Sequence, residues 1–232
     1  MNGFDLAALA RDISVWALPM LTAIPLHEAA HGFAALRFGD DTARRMGRIS
    51  ANPLRHVDPF GTIILPAMLL LLSGGRIMFG YAKPVPVNFS KLKPPRLGMV
   101  LVAAAGPATN LLLAYVSALL MHVAPWLPQE AGRWAAETLW NSILLNLVLA
   151  VFNMLPLPPL DGGRVAVGLL PRPLGVRYGR IERYGMLILL AALFLLPALG
   201  QGLGINLDLF SRVIWPPVQW LGNLVVNAAG LH

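Results

Sequence analysis

The chain reads ISVWALPMLTAIPLHEAAHGFAALRF over residues 13–38, an apolar run long enough to cross a bilayer as a helix. His27, Glu28 and His31 stand inside this run. On a helix, side chains four residues apart share one face, so the two histidines can present imidazole nitrogens to one metal ion. Glu28 stands beside them, where a general base that activates water would be placed. Because a charged side chain at the bilayer centre costs about 3 kcal/mol, this stretch predicts a functional metal site on a membrane helix.

The composition of the chain is that of an integral membrane protein. Of its 232 residues, 56% are hydrophobic and only 12% are charged. Further apolar segments occur at residues 97–123, 134–155 and 184–199, with weaker ones at 60–72 and 213–229. We therefore predict an all-α integral membrane protein, a polytopic helical bundle of about five to six transmembrane helices. The chain reads as one domain over residues 1–232, with core helices in 97–123 and 134–163 and C-terminal helices in 184–229.

The distribution of basic residues predicts an orientation in the cell membrane. The formal net charge is +7, but the basic residues cluster in loops beside apolar segments, which argues against nucleic-acid binding. One cluster lies in residues 37–55 and another in residues 76–96. Both are expected to be cytoplasmic, so the N-terminus should lie outside, and the histidines should lie near the cytoplasmic side of a multi-pass protein.

The segment 60–72 is expected to enter the membrane without crossing it. A full crossing would place the basic cluster between Lys83 and Arg96 outside, against the charge rule. Pro66 and the pair Gly74-Gly75 offer a break and a turn. We therefore predict a small re-entrant or β-hairpin element on the cytoplasmic side, within residues 60–96. An ordinary short helix is the alternative.

The third metal ligand is predicted to be Asp161. The chain has no cysteine, and its other acidic residues apart from Glu28 fall in termini, loops or helix ends. Asp161 follows an apolar helix that should run parallel to the first, so its carboxylate can reach the depth of the histidines. Residues 153–163, NMLPLPPLDGG, contain three prolines that break a helix, and broken backbone at membrane depth is tolerated where it lines a cavity. The alternative is that Asp161 caps the next helix.

Taken in order, several stretches resemble the site-2 protease family of intramembrane zinc metallopeptidases. They are residues 27–31 (HEAAH), 47–54 (GRISANPL), 82–88 (AKPVPVN), 106–110 (GPATN) and 153–163 (NMLPLPPLDGG). The resemblance implies one Zn²⁺ per chain, held by His27, His31 and Asp161, with Glu28 as the catalytic residue. It also implies hydrolysis of a peptide bond within or near the transmembrane segment of a single-span membrane protein. The chain is similar to the minimal branch of the family, without a PDZ or CBS domain.

Substrate-binding residues are also implied by the resemblance. Asn153 matches an asparagine near the metal, and it is a candidate donor to the developing oxyanion; a helix-to-helix hydrogen bond is the alternative. The edge segment, residues 83–88, looks like the family's edge strand, on which an unwound substrate could add as a strand. It consists of Lys83, Pro84, Val85, Pro86, Val87 and Asn88. Gly106 and Asn110 are expected to shape close helix packing and not to take part in chemistry.

Other functions compete with proteolysis. A divalent metal-ion transporter would also place histidines and carboxylates in the membrane, although it would favour such residues strung along several helices. An inactive protease-like binding protein is a second alternative, against which the intact Glu28 argues. A prenyl-protein-type metalloprotease would need a second intramembrane glutamate as its third ligand. Nothing in the sequence indicates an oligomeric state.

Overall fold

The structure is a computed structural model that describes residues 6–64, 68, 82–208 and 210–231. Within these residues the chain is helical and contains no β-strand, which confirms the predicted all-α class for this part of the molecule. The α-helical segments are α1 (Leu6–Arg37), α2 (Thr42–Arg45), α3 (Pro95–Leu120), α4 (Gln129–Asn153), α5 (Asp161–Leu169), α6 (Arg172–Gly179), α7 (Glu182–Gly202, with a π-helical stretch at Ala191–Leu195) and α8 (Trp215–Ala228).

Three helices in the described part of the chain are long and apolar enough to cross a membrane. They are Pro95–Trp126, which is α3 with a 3-10 extension, Gln129–Asn153, which is α4, and Glu182–Gly202, which is α7. They correspond to the predicted segments 97–123, 134–155 and 184–199. The predicted total of five to six spans stays a prediction. The stretch 213–229 forms α8, which has 14 residues and is shorter than a typical span.

The predicted re-entrant or hairpin element lies partly outside the described residues. Pro59–Ile64 form a short π-helix, while residues 65–67 and 69–81 are not described. Residues 82–88 belong to neither a helix nor a strand, and they pair with no strand among the residues that are described. The element therefore stays a prediction, and residues 82–88 at its C-terminal end are described without a strand.

Helix α3 lies at the centre of the fold because it packs against α1, α4 and α5. Its small residues Ala114 and Ala118 allow close contact with Ile143 and Leu147 of α4, in a buried cluster that also includes Val218 of α8. A second buried cluster, Ala35, Leu92 and Val102, joins the end of α1 to the start of α3. These contacts bring α1, α3 and the start of α5 to one place, which is where several buried polar residues meet.

Candidate metal centre

Two imidazole rings on consecutive turns of α1 converge at their Nε2 atoms. The rings of His27 and His31 lie edge to face, at 84° with centroids 4.7 Å apart. Their Nε2 atoms are 3.1 Å apart, and both side chains are buried. The four-residue spacing on one helix therefore does what the sequence predicts and directs two nitrogen ligands to one point.

Asp161, the first residue of α5, completes this group. Its Oδ2 atom lies 3.3 Å from the Nε2 atom of each histidine. This oxygen is buried and accepts no hydrogen bond of acceptable geometry. Leu160 occupies the N-cap position of α5, so the alternative in which Asp161 caps this helix is not what the structure shows.

The glycines after Asp161 explain how its carboxylate reaches the histidines. A Cβ atom on Gly162 would lie 2.2 Å from the carbonyl oxygen of Met154, and one on Gly163 would lie 2.3 Å from the nitrogen of Pro158. Such separations are far below van der Waals contact, so only glycine allows α5 to begin this close to the preceding proline-rich turn. The sequence LDGG therefore fixes the depth at which Asp161 stands.

The spacing of these three atoms fits a tetrahedral metal ion. Bonds of about 2.0–2.1 Å to zinc in tetrahedral geometry separate the ligand atoms by about 3.3 Å, and the observed separations are 3.1, 3.3 and 3.3 Å. The carboxylate and the two imidazoles are ligands that zinc accepts, and three protein ligands leave one position for water or substrate. His27, His31 and Asp161 are the one cluster of this kind in the described part of the chain.

Helix α3 leaves the space that these ligands need. A Cβ atom on Gly106 would lie 2.5 Å from Nε2 of His31 and 2.6 Å from Nε2 of His27. The backbone of α3 therefore forms one wall of the site at a position where no side chain fits. Gly106 allows close helix packing, as the sequence predicts, and it does so directly against the ligand atoms.

Glu28 stands at the same cavity, which has a volume of about 490 Å³. Its Oε2 atom accepts a hydrogen bond of 2.7 Å from the backbone amide of Val85. The cavity is lined by the three ligands and Glu28, together with Asn153 of α4, Arg164 of α5, Met186 of α7 and the apolar residues Val85, Val102 and Ala103. The arrangement places a carboxylate beside the ligand cluster, in a space large enough for a short stretch of peptide.

The edge segment is attached to the rest of the protein through its backbone. Lys83 donates its amide hydrogen to the carbonyl of His56 at 2.8 Å, and Val85 donates to Glu28. Residues 84 and 86 are prolines, which have no amide hydrogen. The amides of residues 83–86 are therefore all bonded or absent. The described residues show no strand paired with this segment, and the predicted contact with substrate stays a prediction.

Asp40 anchors the other end of the edge segment. Its side chain is fully buried, and it accepts hydrogen bonds from the amide of Thr42 at 3.1 Å and the amide of Asn88 at 2.6 Å. Burial raises the pKa of Asp40, but the hydrogen bonds from Thr42 and Asn88 and the charge of Lys91 outweigh it, so the pKa lies below its ordinary value of 3.8. Asp40 therefore holds the segment as a carboxylate.

Asn153 lies at the cavity, but its side-chain amide is engaged within its own helix. It is the last residue of α4, and its Nδ2 donates to the carbonyl of Leu149 at 3.0 Å. This bond lies within α4, so the alternative of a helix-to-helix hydrogen bond is not what the structure shows. Its predicted contact with substrate stays a prediction.

Asn110 is the residue whose position the sequence interpretation missed. The structure places its Oδ1 atom 2.5 Å from Nδ1 of His27, and its Nδ2 atom donates to Oδ1 of Asn146 at 2.8 Å. The bond to Asn146 agrees with the expected role of Asn110 in helix packing, and the contact with His27 is one that the sequence did not predict. Asparagines at residues 110 and 146, in two predicted membrane helices, are the signal that could have indicated a polar contact, because such groups need partners in a bilayer.

Comparison with known proteins identifies the family. The model of peptidase family M50 matches residues 15–143 and 123–196. A Bacillus subtilis protein named "Putative zinc metalloprotease YwhC" is 39% identical over 210 residues, which cover 86% of this chain and 92% of that protein.

Mycobacterial relatives show the same relationship at lower coverage. Two proteins named "Putative zinc metalloprotease Rip2" are each 34% identical to this chain. The one from Mycobacterium tuberculosis aligns over 77% of this chain and 66% of its own length. The one from Mycolicibacterium smegmatis aligns over 61% of this chain and 52% of its own length. No solved structure matches the chain significantly. The family match and the Bacillus relative confirm the resemblance seen in the motifs: this chain belongs to peptidase family M50, the site-2 protease family.

Proposed function

We propose that this protein is a zinc-dependent endopeptidase that cleaves within or near a transmembrane segment of another, single-span membrane protein. The observation that carries the proposal is that Glu28 shares one cavity with three ligand atoms spaced for a tetrahedral ion. The family and the names of the relatives support peptidase activity and zinc as the metal. Because the group sits on helices that pack against apolar spans, the reaction would take place at membrane depth.

The three ligand residues and Glu28 have different parts in this reaction. His27, His31 and Asp161 would hold the zinc ion. When bound, zinc polarises a carbonyl oxygen and lowers the pKa of water to about 7. Glu28 takes a proton from the attacking water and delivers it to the leaving amine nitrogen as the peptide C–N bond breaks. Val85 binds Oε2 of Glu28 through its amide, which leaves Oε1 of Glu28 to carry the proton.

The edge segment suggests where an unwound substrate would lie. A transmembrane helix uses its own carbonyl groups in internal hydrogen bonds, so it must unwind locally before attack. An unwound stretch can then pair with the backbone of a neighbouring segment. Since the amides of residues 83–86 are bonded or absent, the carbonyl of Val85 and the backbone of Val87 are the groups that would pair with substrate. These groups lie beside Glu28, which supports cleavage close to the paired stretch.

The orientation of the protein belongs to the same proposal. The N-terminus would lie outside, α1 would carry His27 and His31 towards the cytoplasmic half of the membrane, and water would enter from the cytoplasmic side. The basic residues that follow α1 and precede α3 support this direction. The three apolar helices support a membrane location.

The proposal is tested with purified protein and a panel of single-span peptides. Peptides are incubated with the protein in the presence and absence of a chelator, and the products are identified by mass spectrometry. Glu28→Gln should retain its metal, because Glu28 is not a ligand, and should lose cleavage. Glu137→Gln changes an exposed acid on α4 that pairs with Arg11, and it should cleave like the wild type. Cleavage that persists in Glu28→Gln, or in the chelated protein, would contradict the proposal.

Ion transport is the main competing function, and the structure gives it no specific support. The described histidine and acidic residues that could bind a metal form a single cluster and not a series along several helices. In liposomes, a transporter would move zinc across the membrane. For a transporter, Glu28→Gln should not give a protein that keeps its metal and loses its function, which is the result expected for a peptidase.

A further inference from the structure

A chain of buried hydrogen bonds leads from the metal site across two further helices. It runs from Nδ1 of His27 on α1 to Asn110 on α3 (2.5 Å), then to Asn146 on α4 (2.8 Å), and ends at the backbone carbonyl of Ser142 (2.8 Å). We call these residues the relay. The side chains of Asn110 and Asn146 are completely buried, so each amide must find its partners inside the protein.

The final acceptor of the relay fixes the direction of every bond in it. A carbonyl oxygen accepts and never donates, so the group that Asn146 turns towards Ser142 must be its NH₂. The Oδ1 atom of Asn146 then faces Asn110, which must turn its own NH₂ towards it. That leaves Oδ1 of Asn110 facing His27, and an amide oxygen also accepts only. His27 must therefore donate, and its hydrogen is on Nδ1.

We propose that Asn110 and Asn146 are positioning residues that fix His27 in the tautomer with hydrogen on Nδ1 and a free lone pair on Nε2. This inference rests on the proposed metal site, because the free lone pair is what a metal ligand needs. In the opposite tautomer, the hydrogen on Nε2 would point at the place where the three ligand atoms converge and would prevent binding.

His31 is fixed in the same way by a simpler contact. Its Nδ1 atom lies 2.7 Å from the backbone carbonyl of Val102. Since the carbonyl can only accept, Nδ1 of His31 carries the hydrogen and Nε2 is free. Both ligands are thus held ready by α3, one by a backbone group that no substitution removes and one by the side chain of Asn110.

A purely structural role is the alternative, in which the two asparagines only hold α1, α3 and α4 together. The two roles differ in what Asn110→Asp does. An aspartate keeps an oxygen that accepts from His27 but loses the NH₂ that donates to Asn146. If the residue positions His27, Asn110→Asp should behave like the wild type at the metal site. If its bond between helices is what matters, it should be as damaging as Asn110→Leu, which removes both groups.

The matched control is Thr109→Val, on the same helix and next in sequence. The hydroxyl of Thr109 donates to the carbonyl of Ala105 within α3, so its removal leaves the relay intact. Asn146→Leu removes the anchor of the relay without touching His27. It acts on His27 only by way of Asn110, and it should weaken the preference of His27 for the tautomer with hydrogen on Nδ1.

The first measurement reads the tautomer directly in the metal-free protein. The chain has five histidines, so ¹⁵N-histidine labelling gives few signals, which single histidine substitutions assign. His27 should carry its hydrogen on Nδ1 in the wild type, Thr109→Val and Asn110→Asp, and should shift towards the Nε2–H form in Asn110→Leu and Asn146→Leu. A wild type whose His27 carries its hydrogen on Nε2, or an Asn110→Leu protein whose His27 keeps its hydrogen on Nδ1, would overturn the inference.

The second measurement is the zinc affinity of the same proteins by competition with a chelator. Loss of a hydrogen bond that orients a ligand typically costs 10–100-fold in metal affinity, and we expect about this loss in Asn110→Leu and full affinity in Asn110→Asp and Thr109→Val. Equal losses in Asn110→Leu and Asn110→Asp would favour the structural role and overturn the inference. A wild type that binds no zinc would refute the proposed function, while the tautomer measurement would still decide the role of the relay.

Discussion

Gly106→Ala is the substitution that should separate metal binding from folding most cleanly. The added methyl carbon would lie 2.5 Å from Nε2 of His31 and 2.6 Å from Nε2 of His27. These separations are about 1 Å shorter than an ordinary contact of roughly 3.5 Å, so the rings or α3 must move by a comparable amount. Misplacement of reacting groups by about 1 Å can cost about 100-fold in rate. We expect at least this loss of peptidase activity, together with weaker zinc binding.

The cost of Gly106→Ala to folding should be small by comparison. Overpacking one methyl group costs about 1–3 kcal/mol, and replacing glycine by alanine inside a helix recovers about 1 kcal/mol. The net loss of about 0–2 kcal/mol should leave the protein folded, as measured by thermal unfolding of the metal-free form in detergent.

Gly222→Ala is the control for this comparison. It adds a methyl group to α8 with its nearest neighbour at 3.6 Å, an ordinary contact, and should alter neither zinc affinity nor activity. If Gly106→Ala bound zinc and cleaved peptides as the wild type does, the ligand cluster described here would not be the metal site.

Further predictions concern three other residues around the site. Asp161→Ala removes one of three ligands and should abolish zinc binding by equilibrium dialysis; retained stoichiometric zinc would exclude it as a ligand. Val85→Pro deletes the amide donor to Glu28 and should leave the zinc content unchanged. It should lower the cleavage rate about 10- to 150-fold, since a hydrogen bond to a charged group contributes about 1.5–3 kcal/mol. An unchanged rate would show that this contact does not orient the base. Asp40 has a lowered pKa, so its carboxylate stabilises the fold fully above the ordinary value of 3.8, and this stabilisation is lost as the pH falls through the lowered value. Asp40→Asn should therefore reduce the unfolding temperature of metal-free protein at neutral pH, with a difference from wild type that shrinks at acid pH; a difference that stays constant with pH would contradict this.

The sequence predicted the ligand set because each ligand has a local signal. His27 and His31 share a helix face through their spacing alone, and Asp161 stood out because few acidic residues occur near apolar segments. The structure brings these three side chains together, as predicted. A pattern of this kind needs no knowledge of the tertiary contacts beyond the parallel direction of two helices.

The contacts made by backbone groups could not be predicted in this way. The amide of Val85 on Glu28 and the carbonyl of Val102 on His31 depend on the register between distant segments, and no side chain reports it. Asn110 did have a signal in its polar side chain, but this signal does not indicate which residue it contacts, and His27 lies 83 positions away in the chain. The expected edge element stays a prediction, because residues 82–88 have no assigned strand and residues 65–67 and 69–81 lie outside the described part.

The metal site and the packing of α3 on α1 form one structure, and this has a physical consequence. Val102, Gly106 and Asn110 follow one another at four-residue intervals and therefore line one face of α3. Along this face, Val102 contacts His31, Gly106 lies against both histidines, and Asn110 contacts His27. The two helices are thus antiparallel here, and their register is set by polar contacts at both ends of the site.

A shift of α3 by one turn, about 5.4 Å, would break the contact of Asn110 with His27 and bring a side chain to the place of Gly106. It would also leave the amide of Asn110 and the Oδ1 atom of Asn146 without the partners that they have in this structure, and an unpaired buried polar group costs roughly 1–3 kcal/mol by mutational measures. The register that orients the ligands is therefore also the register that satisfies the buried asparagines. The site cannot form in a bundle that is packed otherwise, because the groups that orient the ligands are the groups that hold the helices in place.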